Sequence, residues 1–224
     1  MRNVVKMTLA DQIYSILRED IINQTIKCGE KLTLKILQDR FDLSSTPIRE
    51  ALNRLNQEGL IEHVTNIGAK VIAFKEKDVK EIYDFCSYLD LAALNLALES
   101  GKIDEIILEL NNCIELQEKS LELKDMDNFK IHSDNFHDIF FKFADNSRLY
   151  NASKNIRSQF SILTSIYQNL TVSRSVVFIE HKDIAAAIAC SDFIKAAALM
   201  KSHFEHAKNY LLDNLKSTWS TGEN

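Results

Sequence analysis

The residues best suited to chemistry with a charged partner lie in Ser44-Ser-Thr-Pro-Ile-Arg-Glu-Ala-Leu-Asn-Arg-Leu55. Ile48, Ala51, Leu52 and Leu55 recur at the i, i+3, i+4, i+7 spacing of one buried helical stripe. Thr46 is the expected N-cap, and Pro47 then takes the first helical position, where its missing N–H costs nothing. Gly59 is the expected stop. Thr46, Arg49 and Asn53 are left off the stripe, near the helix start. A helix N-terminus presenting a hydroxyl, a guanidinium and an amide can hold phosphates and read base edges. The same pattern fits a capped surface helix with solvated polar residues, so the flanking elements must decide. The four cysteines, Cys28, Cys86, Cys113 and Cys190, are far apart and form no CxxC, as expected of reduced, half-buried thiols. Among six histidines, His137 lies in a Phe-rich segment, His181 at a helix start and His203 on the last helix. Taken singly, each reads as a core or surface histidine satisfied by hydrogen bonds.

The elements around the stretch give it a setting. Thr8 and Asp11 form an approximate capping box ahead of Leu9, Ile13, Ile16, Leu17 and Ile21, which trace an amphipathic helix to about Asn23. Lys27-Cys28-Gly29-Glu30 is a turn. Thr33 caps a second helix with Leu34, Leu37 and Phe41 inward and Lys35 and Arg40 outward. Two short helices joined by about four residues fit a helix-turn-helix. Leu60 to Val64 and Ala69 to Phe74 are β-rich runs around Thr65-Asn66-Ile67-Gly68, a hairpin. Three helices and a hairpin are the order of a winged helix, with Thr65, Asn66 and Lys70 near the wing tip. Beyond Lys75-Glu76-Lys77-Asp78, a short charged link, the pattern is helical only. Five or six antiparallel helices follow, to about Lys216. The fold class is therefore mainly α: a winged helix-turn-helix at residues 1–75, then an all-α antiparallel bundle at 76–224.

Composition agrees. The 224 residues include only five Gly and one Pro, which points to helices with short connections. The net charge is −5, but residues 1–75 hold 11 Lys/Arg against 9 Asp/Glu, while the remainder holds 16 against 23. The acidic excess thus lies outside the helix-turn-helix. No apolar run is long enough to cross a bilayer, and the first residues lack the apolar core of a secretory signal, so no membrane partner and a cytoplasmic location are expected.

Ser44-x-Thr46-Pro47-Ile48-Arg49-Glu50-Ala51-Leu52-x-x-Leu55-x-x-Glu58-Gly59-Leu60, with the later Gly68-Ala69-x-Val71, resembles the DNA-binding domain of GntR-family bacterial transcriptional regulators. The all-helical remainder resembles the FadR subfamily, with its ligand-binding FCD domain. The resemblance implies that Lys35, Ser44, Ser45, Thr46 and Arg49 meet double-stranded operator DNA from the helices, beside Asn53 from the residue pattern. It places Thr65, Asn66 and Gly68 on the DNA from the wing. Ser45 stands where the family usually has Arg, which removes one phosphate or guanine contact. Cys28 replaces a usual Pro in the turn.

In the helical domain the resemblance implies a divalent metal, Zn(II) or similar, held by His137, His181 and His203. The family adds an Asp one turn before the first His. Here that position is Ser133, and the neighbouring Asp134 points about 100° away on a straight helix, so the fourth position stays open between them. Tyr83-Asp84-Phe85-Cys86-Ser87-Tyr88-Leu89-Asp90 matches a Tyr-x-x-Arg-x-x-Leu-Glu pattern whose Arg clamps an effector carboxylate, with Cys86 at the Arg position. Tyr83, Cys86, Asp90 and Arg157 are the expected effector-pocket residues, with Arg148 or Arg174 as other replacements for the clamp. The expected function is a homodimeric regulator whose operator affinity follows a small-molecule effector or metal. Two rivals stand beside it: a metal-dependent enzyme using the three histidines, although no HExxH or nucleophile motif is present, and a protein-binding adaptor with a winged helix that holds no DNA.

Overall fold

The computed structural model describes residues 7–64, 68–168 and 173–219. The chain divides into two compact units. One comprises residues 1–75 with 155–165, and the other residues 76–154 with 166–224. The first break between the units falls after Lys75, and residues 155–165 group with the first unit.

The first unit begins with α1 (Leu9–Ile22), β1 (Lys31–Leu32), α2 (Leu34–Phe41) and α3 (Ser45–Gln57). The capping box is complete: Thr8 Oγ1 accepts from the Asp11 amide at 3.1 Å, and the Thr8 amide donates back to Asp11 at 2.9 Å. Thr33 caps α2 by accepting from the Ile36 amide. Strands β2 (Ile61–Val64) and β3 (Gly68–Val71) form the expected hairpin, and β1 joins its far edge to make an antiparallel sheet ordered β1-β3-β2. Two residues are too short to show alternation in sequence, so β1 left no signal. Leu32 pairs with Ala69 and Ile61 with Val71; all four are buried.

Helix α3 differs from expectation at its start. Its N-cap is Ser44, in extended backbone, so Thr46 and Pro47 lie inside the first turn. The left-handed Asp42 (φ 52°) ends α2 and turns the chain early enough for Ser44 to begin the next helix. Pro47 is tolerated there because N–H groups of the first turn have no intrahelical acceptor. The stripe is as spaced: Ile48, Ala51, Leu52 and Leu55 are buried, packing mainly on α1. Gly59 (φ 76°) ends the segment in left-handed backbone.

The second unit consists of α4 (Glu76–Glu99), α5 (Ile103–Glu122), α6 (Met126–Ala144), the ends of α7 (Ser147–Gln168), α8 (Ser173–Ala189) and α9 (Phe193–Trp219). Most of the expected link is the first turn of α4, where Glu76 and Asp78 favour the positive end of the helix dipole. Helix α4 packs on α6 and α9, α5 on α6 and α8, and α8 on α9. Phe129, Phe136 and Phe140 are fully buried at the centre, each contributing roughly 1.5–3 kcal/mol of burial free energy. Helix α4 leaves Phe85 and Tyr88 exposed.

Candidate DNA-binding face and metal centre

In the first unit, Ser44, Thr46, Arg49 and Asn53 are exposed on the outer side of α3, Lys35 is exposed on α2, and Ser45 is half-buried. The Ser44 side chain makes no capping hydrogen bond, so the first-turn N–H groups of α3 keep their capacity for an external acceptor. Gly68 is exposed and adopts φ +110°; an added Cβ would stand 3.1 Å from the Leu32 carbonyl oxygen. Thr65 and Asn66 lie outside the described residues.

Three arginines of this unit are tied up in ion pairs, whereas exposed Lys27, Lys31, Lys35 and Arg49 are in no ion pair among the described residues. Arg18 pairs with Glu58 at 2.8 Å, Arg40 with Asp20 at 2.5 Å, and Arg54 with Asp11 at 2.6 Å while stacking over Tyr14. These three are held by intramolecular carboxylates.

In the second unit, α6, α8 and α9 bring His137, His181 and His203 together. One ring nitrogen from each lies within 4.8 Å of the others. His181 is completely buried, and the side chains of His203 and His137 are 9% and 12% exposed. Phe136 stacks on His181 with ring centroids 4.0 Å apart. Each Nδ1 meets an oxygen: Asp90 on α4 at 2.7 Å from His137, Gln117 on α5 at 3.0 Å from His181, and Glu180 on α8 at 2.7 Å from His203. Exposed His206 meets the other oxygen of Glu180 at 2.6 Å. Burial pushes His181 well below the usual imidazole range, and the positive charges of protonated His203 and His137 add to this. Burial also lowers His203, against the opposing pull of Glu180. Neutral imidazoles are the form that binds metal. The Nε2 of His181 is buried with no hydrogen-bond partner among the described residues, a condition a bound cation would relieve. These residues fit a divalent ion.

Ser133 is buried one turn before His137 on α6. Asp134 points outward, 40% exposed and 3.7 Å from Lys130, and is not brought to the cluster. Tyr83, Cys86 and Asp90 are buried along one stripe of α4. Burial pushes the Tyr83 phenol up, with Tyr167 and Cys86 adding to it, so those groups stand together. Arg157 lies on α7 in the segment belonging to the other unit. Gln117 and Glu180 escaped the sequence reading. The available signals were a glutamine in the buried stripe Ile106, Leu110, Cys113, Gln117 of α5, and a carboxylate immediately before His181. A separate open groove of about 700 Å³, lined in part by Glu109, Cys113, His132, Asp138, Lys142 and Tyr150, contains none of the three clustered histidines.

Two families match. "Bacterial regulatory proteins, gntR family" covers residues 9–71, and "FCD domain" covers residues 81–206. The chain belongs to the GntR family and carries an FCD domain. This GntR-family chain is 25% identical to the HTH-type transcriptional regulator YdhC of Bacillus subtilis (strain 168), over 89% of each chain. It is 30% identical to the gluconate operon transcriptional repressor of Bacillus licheniformis over 66% of its own length and 61% of that protein. It is 24% identical to the transcriptional repressor GlaR of Escherichia coli (strain K12), over 85% and 90%. Its fold is similar to a GntR regulator of Rhodococcus sp. RHA1 (TM-score 0.77, 19% identity, covering 91% and 97%) and to E. coli McbR/YncC (0.77, 18%, 94% and 100%). The chain is accordingly a transcriptional regulator with a DNA-binding domain and a ligand-binding domain. No helix among the described residues is long and apolar enough to cross a membrane.

Proposed function

We propose that this GntR-family regulator acts in the cytoplasm as a homodimer on a palindromic operator, reading it with the start of α3 and the wing. The observation that carries this reading is an α3 N-terminus that its own cap leaves open, with exposed Arg49 on the same helix and exposed Lys35 on α2, neither in an ion pair among the described residues. Ser44, Thr46 and backbone N–H groups then hold phosphate, while Arg49 and Asn53 reach base edges. Ser45, in place of the family's usual Arg, makes the preferred sequence differ from the family's common operator. Repression is the proposed outcome, in line with the names of GlaR and the gluconate repressor.

The helical domain is the proposed controlling site. His137, His181 and His203 would hold a divalent ion, and three neutral nitrogens favour Zn(II) or a similar borderline metal over Mg(II) or Ca(II). Such an ion would supply positive charge and open positions for an anionic or water ligand. The α4 stripe of Tyr83, Cys86 and Asp90 lines the effector side. The Cys86 thiol cannot form a bidentate carboxylate clamp, so the effector is held differently from that of relatives with Arg there. Arg157 is not assigned to this pocket. A ligand changing operator affinity would act through a coupling of about 1–3 kcal/mol.

The experiment is a titration of labelled DNA from upstream of the chain's own coding region, at several salt concentrations, with and without Zn(II). Sequence-preferring, salt-dependent binding supports the reading; binding without either property refutes it. Turnover by the zinc-loaded protein would instead favour the enzyme reading.

A further inference from the structure

We propose that Asp90, Gln117 and Glu180 are positioning residues that pre-set the three histidines, with neutral Gln117 fixing the tautomer of His181. This rests on the metal-site reading and extends it to residues that themselves touch no ion. A ligating imidazole must offer a lone pair on one nitrogen and carry its proton on the other. At His181 the hydrogen bonds decide which is which. Gln117 is completely buried on α5. Its amide nitrogen lies 3.3 Å from the backbone carbonyl oxygen of His132 and 3.6 Å from Cys113 Sγ. A carbonyl only accepts, so the Gln117 amide nitrogen must face it, which removes the usual ambiguity of a glutamine flip. Gln117 Oε1 is then directed at His181 Nδ1, 3.0 Å away. That oxygen only accepts, so Nδ1 carries the proton and Nε2 carries the lone pair. Nε2 is the atom that stands buried without a partner among the described residues.

The same logic applies on the other two helices. Asp90 Oδ1 faces His137 Nδ1, and Glu180 Oε2 faces His203 Nδ1, both at 2.7 Å. Three acceptors from α4, α5 and α8 hold three rings with Nδ1 as the protonated side. Two are anionic and one is neutral. Ser133, one turn before His137, adds no carboxylate. The nearby negative charge therefore sits behind the rings of His137 and His203, and His181 is held by an amide alone. Partners of this kind orient ligating histidines and raise their basicity.

The test uses the full chain stripped of metal by chelator, with ¹⁵N-labelled histidine. Long-range ¹H–¹⁵N correlations report the tautomer of each ring, and chelator competition reports Zn(II) affinity. Wild type is expected to show His181 protonated at Nδ1 before any metal is added. Gln117→Met should lose that single tautomer and weaken Zn(II) binding about 10–100-fold. Gln117→Glu loses the N–H donor to the His132 carbonyl but keeps an acceptor for Nδ1, so it should retain the tautomer, and the melting temperature of each metal-free variant separates these effects from loss of fold. A wild-type His181 protonated at Nε2 overturns the proposal, as does Gln117→Met with unchanged tautomer and affinity. Absence of Zn(II) uptake by wild type would defeat the metal-site reading alone. The metal-free tautomer would still decide the positioning role, with Nδ1–H supporting it and Nε2–H refuting it.

Discussion

Arg49 owes its availability to what its neighbours do. Arg18, Arg40 and Arg54 are held by carboxylates of their own unit, whereas Arg49 projects from α3 without one among the described residues. Arg49→Ala should cost about 1–3 kcal/mol of operator binding and relax discrimination at one base pair, measured by fluorescence anisotropy on matched and mismatched duplexes. In the helical domain, His181→Ala removes one of three nitrogen donors. Calorimetric titration with Zn(II) should show affinity falling by more than about 100-fold, beyond what loss of a supporting partner produces. Individual residues were unevenly legible in the sequence. Thr46, Arg49 and Asn53 could be placed outside a buried stripe because helical periodicity ties each residue to its neighbours. The three histidines come from separate helices and became a set only through resemblance. Asp90, expected at the effector, lies against His137 because its partner depends on how α4 packs on α6.

At the scale of elements, local signals located helices well and their first turns less well. The α3 stripe was plain, but its cap moved from Thr46 to Ser44, since Ser and Thr are near-equal caps and the left-handed Asp42 decides between them. Strand β1 was missed because two residues carry no periodicity, and its pairing with β3 is a tertiary event. Leu55→Ala should lower stability by about 2–5 kcal/mol, read as a lower melting temperature, because Leu55 is fully buried in the stripe. Glu58, the C-cap of α3, gives a pH signature. Burial pushes its carboxyl up, but hydrogen bonds from Ser158, Tyr14 and Arg18 outweigh burial and hold it below its ordinary value. The unfolded chain therefore binds the proton more readily, and the contribution is full above the ordinary glutamate range and lost as pH falls through the folded value. Glu58→Gln should flatten that part of the acid-unfolding profile, as followed by circular dichroism.

For the whole molecule, the uneven charge is the relevant quantity. A net of −5 would repel a duplex if spread evenly, but the first 75 residues have a small positive excess and the acidic surplus lies in the remainder. The family match accounts for this division: one region is a GntR domain and the other an FCD domain. Composition and periodicity reached the two-part, mainly helical plan. They could not separate Lys35 and Arg49 from the cations consumed in ion pairs, since those pairs join α1 to α2 and α3. A homodimer on a palindrome should protect two half-sites centred about 10 base pairs, or a multiple of one helical turn, apart. The most direct measurement of the central claim is operator affinity for wild type and Arg49→Ala across a salt series. The account predicts that wild-type affinity falls steeply with salt and favours one sequence, and that the variant is weaker and less selective. Equal binding of both proteins to operator and unrelated DNA, at every salt concentration, would contradict it.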